Sequence, residues 1–185
     1  MTHYQKNESL TKLIENKRVS LVAPANYLVG KELGNVIDEY DVVCRVNYMY
    51  PGNFESDYGD KVDIMFYNCS TASLGQMKQH FEKYPNFCKR MKLVVCPVVK
   101  VLGPEKWREW GPDFISPVVA NFNSINIHNN DFHWIGMKNY TYLFDLINCQ
   151  EPNTGLLAMS IILEYNPKEL FITGFTFYEN RDEYF

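Results

Sequence analysis

The sequence predicts an α/β fold of Rossmann-like type, in which a mostly parallel sheet is flanked by helices on both faces. Short apolar runs rich in Val, bounded by turn residues, alternate with segments whose apolar residues recur at helical spacing. The clearest unit spans residues 18–47, where a strand, a small-residue turn, a short helix and a second strand follow one another. This order is typical of a βαβ unit with parallel strands.

Five strands and four helices are predicted along the chain. The strands are short runs rich in β-branched residues, at 19–22, 41–46, 63–67, 92–96 and 169–173. The helices have apolar residues three and four positions apart, at 9–15, 31–39, 73–83 and 154–165. Residues 98–130 are predicted to be irregular because several prolines interrupt them, and the apolar run 142–147 fits either a strand or a helix.

Length and charge bound the class of protein. The 185 residues suffice for one domain with a substantial core, so a single domain is predicted over residues 1–185. The formal net charge of −4 disfavours a nucleic-acid partner. Residues 1–17 are polar and charged, without the apolar run of a signal peptide or anchor. We therefore expect a soluble protein with no nucleic-acid partner and no membrane span.

The cysteines and histidines favour neither a disulfide framework nor a metal site. Five cysteines, an odd number without any CxxC pair, lie in or near apolar runs, which predicts free buried thiols and a cytoplasmic or other reducing compartment. His128 and His133 are five residues apart with Asp131 between them, but no further ligand follows at a strong spacing. We expect no bound metal.

A small polar turn leads directly into an apolar helix at residues 152–163. Asn153, Thr154 and Gly155 come immediately before its apolar stripe. The first amides of a helix lack intrahelical partners, and the helix dipole favours a phosphate or a carboxylate beside them. Gly155 would let such a ligand approach the backbone. An ordinary Asn or Thr cap on a buried helix accounts for the same residues.

Small and amide residues also follow the first three predicted strands. Ala25 and Asn26 follow the first strand, Asn47 the second and Asn68 the third. Ligands of parallel sheets bind beyond the carboxyl ends of the strands, and an Asn side chain can both donate to and accept from a ribose or a phosphate. Turn formation is the alternative role, because Asn tolerates left-handed backbone conformations.

Three short patterns, in this order, resemble the sialyl motifs of the animal-type sialyltransferases. Residues 22–28 and 37–47 resemble the large sialyl motif. Residues 152–157, followed by 171–175, resemble the small sialyl motif, and residues 58–64 resemble the family's Gly-x-x-x-Asp-Ile segment between the two. The chain is therefore identified as a member of this family, of a soluble microbial or viral type.

The resemblance implies a glycosyltransferase that moves an acidic sugar from a cytidine monophosphate donor to a hydroxyl of a glycan acceptor. The donor is the substrate, and no further cofactor is implied. Asn47 is expected near the donor phosphate or ribose, with Thr154 and Gly155 at the phosphate or the sugar carboxylate. Gly174 and Phe175 are expected beside the base, although a strand-end turn and a core aromatic are their alternative roles.

The resemblance is incomplete at two points. Pro24 stands where the family has its first Asn, and Asn26 is the residue placed to compensate. The family's catalytic His follows the small motif, and no His follows Phe175 here, so the catalytic residue stays unknown. From its last residues, we expect that this sequence stops before the catalytic end of the family's domain. The alternatives are that the protein binds a nucleotide or sugar nucleotide without turnover, or that another residue is the base.

A third class of protein, an α/β enzyme that uses another nucleotide, is disfavoured. The chain contains neither a Gly-x-Gly-x-x-Gly run nor a Gly-x-x-x-x-Gly-Lys-Ser/Thr run.

Overall fold

A computed structural model describes residues 6–47, 55–70, 72–97, 115–135, 137–148 and 152–176. Its described strands form one six-stranded sheet, and every pair of neighbouring strands is parallel. The strands are β1 (Arg18–Val22), β2 (Val42–Val46), β3 (Ile64–Phe66), β4 (Leu93–Pro97), β5 (Asp131–Ile135) and β6 (Glu169–Thr173). Their spatial order is β5-β4-β3-β2-β1-β6. The predicted α/β fold with a parallel sheet is confirmed.

The helices of the described residues lie between the strands in sequence. They are α1 (Glu8–Ile14), α2 (Gly34–Asp38), α3 (Glu55–Tyr58), α4 (Leu74–Lys83), α5 (Pro85–Arg90), α6 (Ile115–Asn123), α7 (Met137–Leu146) and α8 (Thr154–Glu164). A single 3-10 turn, Asn26–Leu28, follows β1. None of the helices in the described ranges combines the length and the apolar character needed to cross a bilayer.

One face of the sheet packs against α1 and α8. Alternate strand residues, including Leu21, Cys44 and Phe66, form a buried cluster with Leu10 of α1 and Ile162 of α8. The alternation follows from the pleat, which directs successive side chains to opposite faces. The opposite face is covered as well, so the sheet is sandwiched between two helical layers.

The opposite face is covered by two further clusters. Met65 and Val94 pack against Phe81 of α4 and Phe122 of α6, whose rings meet edge to face at a centroid distance of 6.1 Å. Near β1 and β2, the covering side chains come from the 3-10 turn, α2 and α3. The expectation of helices on both faces is therefore confirmed.

Several local predictions were wrong. The helix predicted at residues 31–39 is shorter and begins at Gly34, because a turn with Glu32 in the left-handed conformation precedes it. Within the stretch predicted to be irregular, residues 115–123 form α6, in which Pro117 lies in the first turn, where no intrahelical amide bond is needed. For the run 142–147 the sequence left strand and helix open, and residues 142–146 form the second half of helix α7.

Three elements were not predicted at all, and part of the chain is not described. One of them is the short helix α3 (Glu55–Tyr58). The edge strand β5 lacks a continuous apolar run because it is only partly buried, and α5 is a short helix with Pro85 at its start. Cys44, Cys69, Cys88 and Cys96 are free and buried, as predicted. Cys149 and residues 98–114 lie outside the described residues.

The order of the strands marks a place for a ligand. From β1 to β5 each new strand is added on the same side of the sheet, whereas β6 returns to the other side of β1. In open parallel sheets, ligands bind outside the carboxyl ends of the strands at such a reversal. The ends of β1, β2 and β6 are the strand ends nearest to this point.

Candidate functional site

A cleft of about 240 Å³ opens at the carboxyl edge of the sheet, beside the reversal in strand order. Its walls come from the ends of β1, β2 and β6 and from the start of α8. The lining residues are Ala23, Pro24, Val46, Asn47, Asn153, Thr154, Gly155 and Phe175. Residues of the early pattern and of the late pattern thus meet in one cavity.

Asn47 lies on the β2 side of the cleft and also ends the strand. Its backbone is left-handed, with φ of 63°, and its amide donates to the Phe66 carbonyl at 2.9 Å. Asn adopts this conformation more readily than most residues. The residue is half-buried and lines the cleft, so the turn role and a position suited to a ligand coexist in one residue.

Asn153 caps the helix that forms the opposite wall. Its backbone is extended, and its side-chain Oδ1 accepts a hydrogen bond from the Leu156 amide at 2.8 Å. The cap therefore takes up one of the amides that α8 leaves without an intrahelical partner. Thr154 and Gly155 follow it at the cleft wall, where the positive end of the helix dipole lies.

Gly155 is required for the shape of the cleft. A Cβ atom on this residue would lie 2.5 Å from the Cε1 atom of the Phe175 ring and 3.3 Å from Asn153 Oδ1. Its backbone is not left-handed, so close approach and not conformational freedom explains the glycine. The ring of Phe175 can therefore rest on the helix start and form one wall.

Ala25 and Gly174, two predicted site residues, do not line the cleft. The Ala25 amide donates to the Gly174 carbonyl at 3.1 Å, and the Tyr58 hydroxyl donates to the Ala25 carbonyl at 2.6 Å. The Gly174 amide donates to the Tyr27 hydroxyl at 2.8 Å. These hydrogen bonds link the chain after β1 to the end of β6, so both residues have a structural role.

Asn26 and Asn68 also lie outside the lining. Asn68 Oδ1 accepts from the Ser70 amide at 3.1 Å, which closes a local turn at the end of β3. Asn26 begins the 3-10 turn, and its Oδ1 is buried without a hydrogen-bond partner among the described residues. Since buried acceptors are usually paired, this oxygen is an available acceptor close to the end of β1.

Among the residues that the structure describes, the lining of the cleft carries no titratable side chain. It offers amide groups, a hydroxyl, backbone and an aromatic ring, all neutral. Asp57 of α3 accepts hydrogen bonds from the backbone amides of Gly30 and Glu32 and so supports the turn after β1. These hydrogen bonds also hold the pKa of the Asp57 carboxyl below its usual range. The described lining is therefore suited to binding and orienting a ligand, and it supplies no proton acceptor.

Some important positions lie within the motif patterns but were not predicted as site residues. Tyr27 and Tyr58 hold the wall through bonds to the backbone of residues distant in sequence. Ala23, Pro24 and Val46 line the cleft but were not predicted as site residues. The proximity of Ala23 and Pro24 to Asn47 and Phe175 depends on the strand order, which a local pattern does not specify.

Comparison with known proteins adds a family match. Residues 5–102, more than half of the chain, match the profile of glycosyltransferase family 29 (sialyltransferase). A comparison with curated protein sequences gave no match.

The fold is similar to that of two solved structures. One is a crystal structure of a mammalian sialyltransferase, with a TM-score of 0.59 and 17% identity, and the alignment covers 100% of this chain and 74% of the other. The second is a mammalian sialyltransferase in complex with Gal-beta-1-3GalNAc-ortho-nitrophenol, with a TM-score of 0.57 and 20% identity. That alignment covers 92% of this chain and 60% of the other. At these identities the likeness is one of fold.

Proposed function

The chain belongs to glycosyltransferase family 29, the sialyltransferases, and from this premise we propose that its cleft binds the cytidine monophosphate part of a sugar nucleotide. In this proposal the bound donor transfers an acidic sugar to a hydroxyl of a glycan acceptor. The family match also confirms the resemblance predicted from the motifs. The observation that carries the donor site is the meeting of Asn47 and Thr154 in one cleft.

The chemistry of the lining supports a nucleotide phosphate. The start of α8 presents backbone amides and the positive end of a helix dipole, which is a common arrangement for binding phosphate. Asn47 faces the same cavity from β2 and can donate to a phosphate or a ribose oxygen. Phe175 adds an aromatic surface suited to a base or a sugar ring.

Glycosyl transfer from such a donor needs little covalent help from the protein. The transition state separates an oxocarbenium-like sugar from the departing phosphate, so preorganised amides that stabilise the phosphate favour the reaction. The acceptor hydroxyl must also lose a proton. Because the described lining holds no titratable group, we assign donor binding and phosphate stabilisation to the cleft, and the base to another residue.

Asn47→Ala tests the donor site directly. If the amide is buried against the ligand, the change weakens the binding of cytidine monophosphate by about 1 to 3 kcal/mol in a calorimetric titration. Asn68→Ala is the matched control, because it removes the same side chain from a strand end outside the lining. Equal affinities for Asn47→Ala and the unchanged protein would remove this residue from the site.

Two further measurements test the ligand class and the reaction. Titration with cytidine monophosphate and with an adenine dinucleotide compares the bases, and tighter binding of the adenine ligand would overturn the proposed donor. Incubation with a labelled cytidine monophosphate sugar and a glycan acceptor tests transfer. If the protein binds the nucleotide but forms no labelled product, the transferase proposal is contradicted. The protein would then be a non-catalytic nucleotide-binding protein.

A further inference from the structure

A second cavity, of about 510 Å³, opens at the amino edge of the sheet, where the strands begin. We call it the amino-edge cavity. Five cationic side chains line it, from Lys12, Lys17, Arg18, Lys92 and Lys168. The single carboxylate of its lining belongs to Asp41. It lies at the opposite edge of the sheet from the cleft and shares no lining residue with it.

The parallel sheet explains why these cations come together. Lys17, Lys92 and Lys168 directly precede or adjoin the first residues of β1, β4 and β6, and parallel strands all begin at the same edge. The Lys168 amide donates to the Lys17 carbonyl at 2.8 Å, which places these two residues side by side. Lys12 adds a cation from the last turn of α1.

The carboxylates around the amino-edge cavity do not balance its cations. Glu169 Oε2 accepts from Arg18 Nε at 3.1 Å, and Asp63 Oδ1 lies 2.6 Å from Lys92 Nζ. With Asp41 included, the described residues place three carboxylates beside these five cations, and Asp63 Oδ2 also lies 4.0 Å from Lys61 Nζ. Lys12 and Lys17 form no ion pair within the part of the chain that the structure describes, so positive charge is left over.

The excess is local and does not reflect the charge of the whole chain. Five of the 18 Lys and Arg residues line this cavity, against one of the 22 Asp and Glu residues, in a chain of net charge −4. Ammonium groups held near one another repel, and an anion between them removes that repulsion. An ammonium group is also a common point-charge partner of phosphate.

We propose that the amino-edge cavity binds a phosphate-bearing anion, either free in solution or carried as a lipid headgroup. A multivalent anion suits it best, because the unbalanced cations come from separate elements around one opening. This site does not depend on the sugar-nucleotide cleft, and either proposal can fail without the other.

Calorimetric titration with pyrophosphate tests the free ligand. The double variant Lys17→Gln and Lys168→Gln removes two cations, and we expect roughly five- to twentyfold weaker binding, in keeping with two exposed ion pairs. The control pair Lys31→Gln and Lys89→Gln removes the same charge from exposed positions outside the cavity. The loss caused by the Lys17/Lys168 variant should be the same in an Asn47→Ala background, because the cleft and the amino-edge cavity share no lining residue.

Cosedimentation with phosphatidylcholine vesicles, with and without phosphatidylinositol bisphosphate, tests the lipid source. Binding to pyrophosphate that only the Lys17/Lys168 variant loses supports a free phosphate-bearing anion. Vesicle binding that only this variant loses supports a headgroup. Equal losses in the control pair, or no binding of either probe by the unchanged protein, would overturn the proposal.

Discussion

The two edges of the sheet differ in the charge of the side chains that the structure describes there. At the carboxyl edge, the cleft is lined by neutral groups, and its polarity comes from amides and from the start of a helix. At the amino edge, charged side chains cluster: Glu169 accepts from Arg18 and from the Tyr40 hydroxyl, at 3.1 and 2.7 Å. These hydrogen bonds lower the pKa of the Glu169 carboxyl and keep it ionised.

The two edges therefore offer different means of holding an anion: fixed dipoles at the carboxyl edge and charged side chains at the amino edge. A neutral cleft can hold a phosphate through fixed dipoles, whose alignment depends on the fold and not on a protonation state. Charges at the amino edge stabilise strand starts and leave a surplus of cations. Changes at the two edges should therefore be detected by different measurements.

Gly174→Ala should have the largest effect, because it disrupts the backbone that holds the carboxyl edge together. Gly174 has φ of 78°, and a Cβ atom there would collide with the Ala23 carbonyl. We expect a loss of about 3 kcal/mol or more in the free energy of unfolding, measured with urea. Gly30→Ala has the same φ with no atom within 4 Å, so it should cost about 1 kcal/mol. Similar losses in both variants would show that the approach to Ala23 is unimportant.

Acid should destabilise the fold through the buried His80 of α4. Burial lowers the pKa of this residue from 6.5 to about 4. Below pH 6.5, His80 binds a proton in the unfolded chain but not in the folded chain. The free energy of unfolding therefore falls as the pH is lowered from 6.5 towards 4. The loss amounts to up to about 3 kcal/mol.

Urea unfolding at several pH values measures this loss. His80→Gln should remove that part of the pH dependence between 6.5 and 4. His133→Gln, the control, removes a histidine of β5 and leaves His80 in place. A slope that is unchanged by His80→Gln would contradict the assignment.

Asn153→Asp tests whether the cleft must be neutral. Aspartate is an equally good helix cap and favours the helix dipole, so the free energy of unfolding should stay the same or rise by up to about 1 kcal/mol. A negative charge beside a bound phosphate should weaken cytidine monophosphate binding by about 1 kcal/mol. Asn153→Ser keeps a neutral cap and serves as the control. If the Asp and Ser variants bind the nucleotide equally, neutrality at this position does not matter.

Raising the ionic strength should weaken ligand binding at the two edges to different extents, and this is the smallest of the expected effects. Cytidine monophosphate bound in the neutral cleft should lose less than about twofold in affinity when salt is raised, because dipoles in contact with the ligand are weakly screened. Pyrophosphate at the amino-edge cavity should lose more, because exposed charges are strongly screened. Parallel titrations at low and high salt make the comparison. Equal salt dependence of the two ligands would argue against separate binding modes.

The sequence alone determined the local features. The Val-rich runs became β1, β2 and β4, and the apolar stripe after Thr154 became α8. Asn153 caps that helix and Asn47 ends its strand in a left-handed conformation, as their residue types indicated. These features were predictable because periodicity, capping and turn formation depend on residues within a few positions of each other.

The tertiary structure decided which strand ends share a cavity. It brought Asn47 and Phe175 into one lining, left Asn68 outside it, and turned Gly174 into a tie between β1 and β6. It also placed the Tyr27 hydroxyl on the Gly174 amide. No local pattern contains this information, because each contact joins residues that are far apart in sequence and depends on strand order and packing.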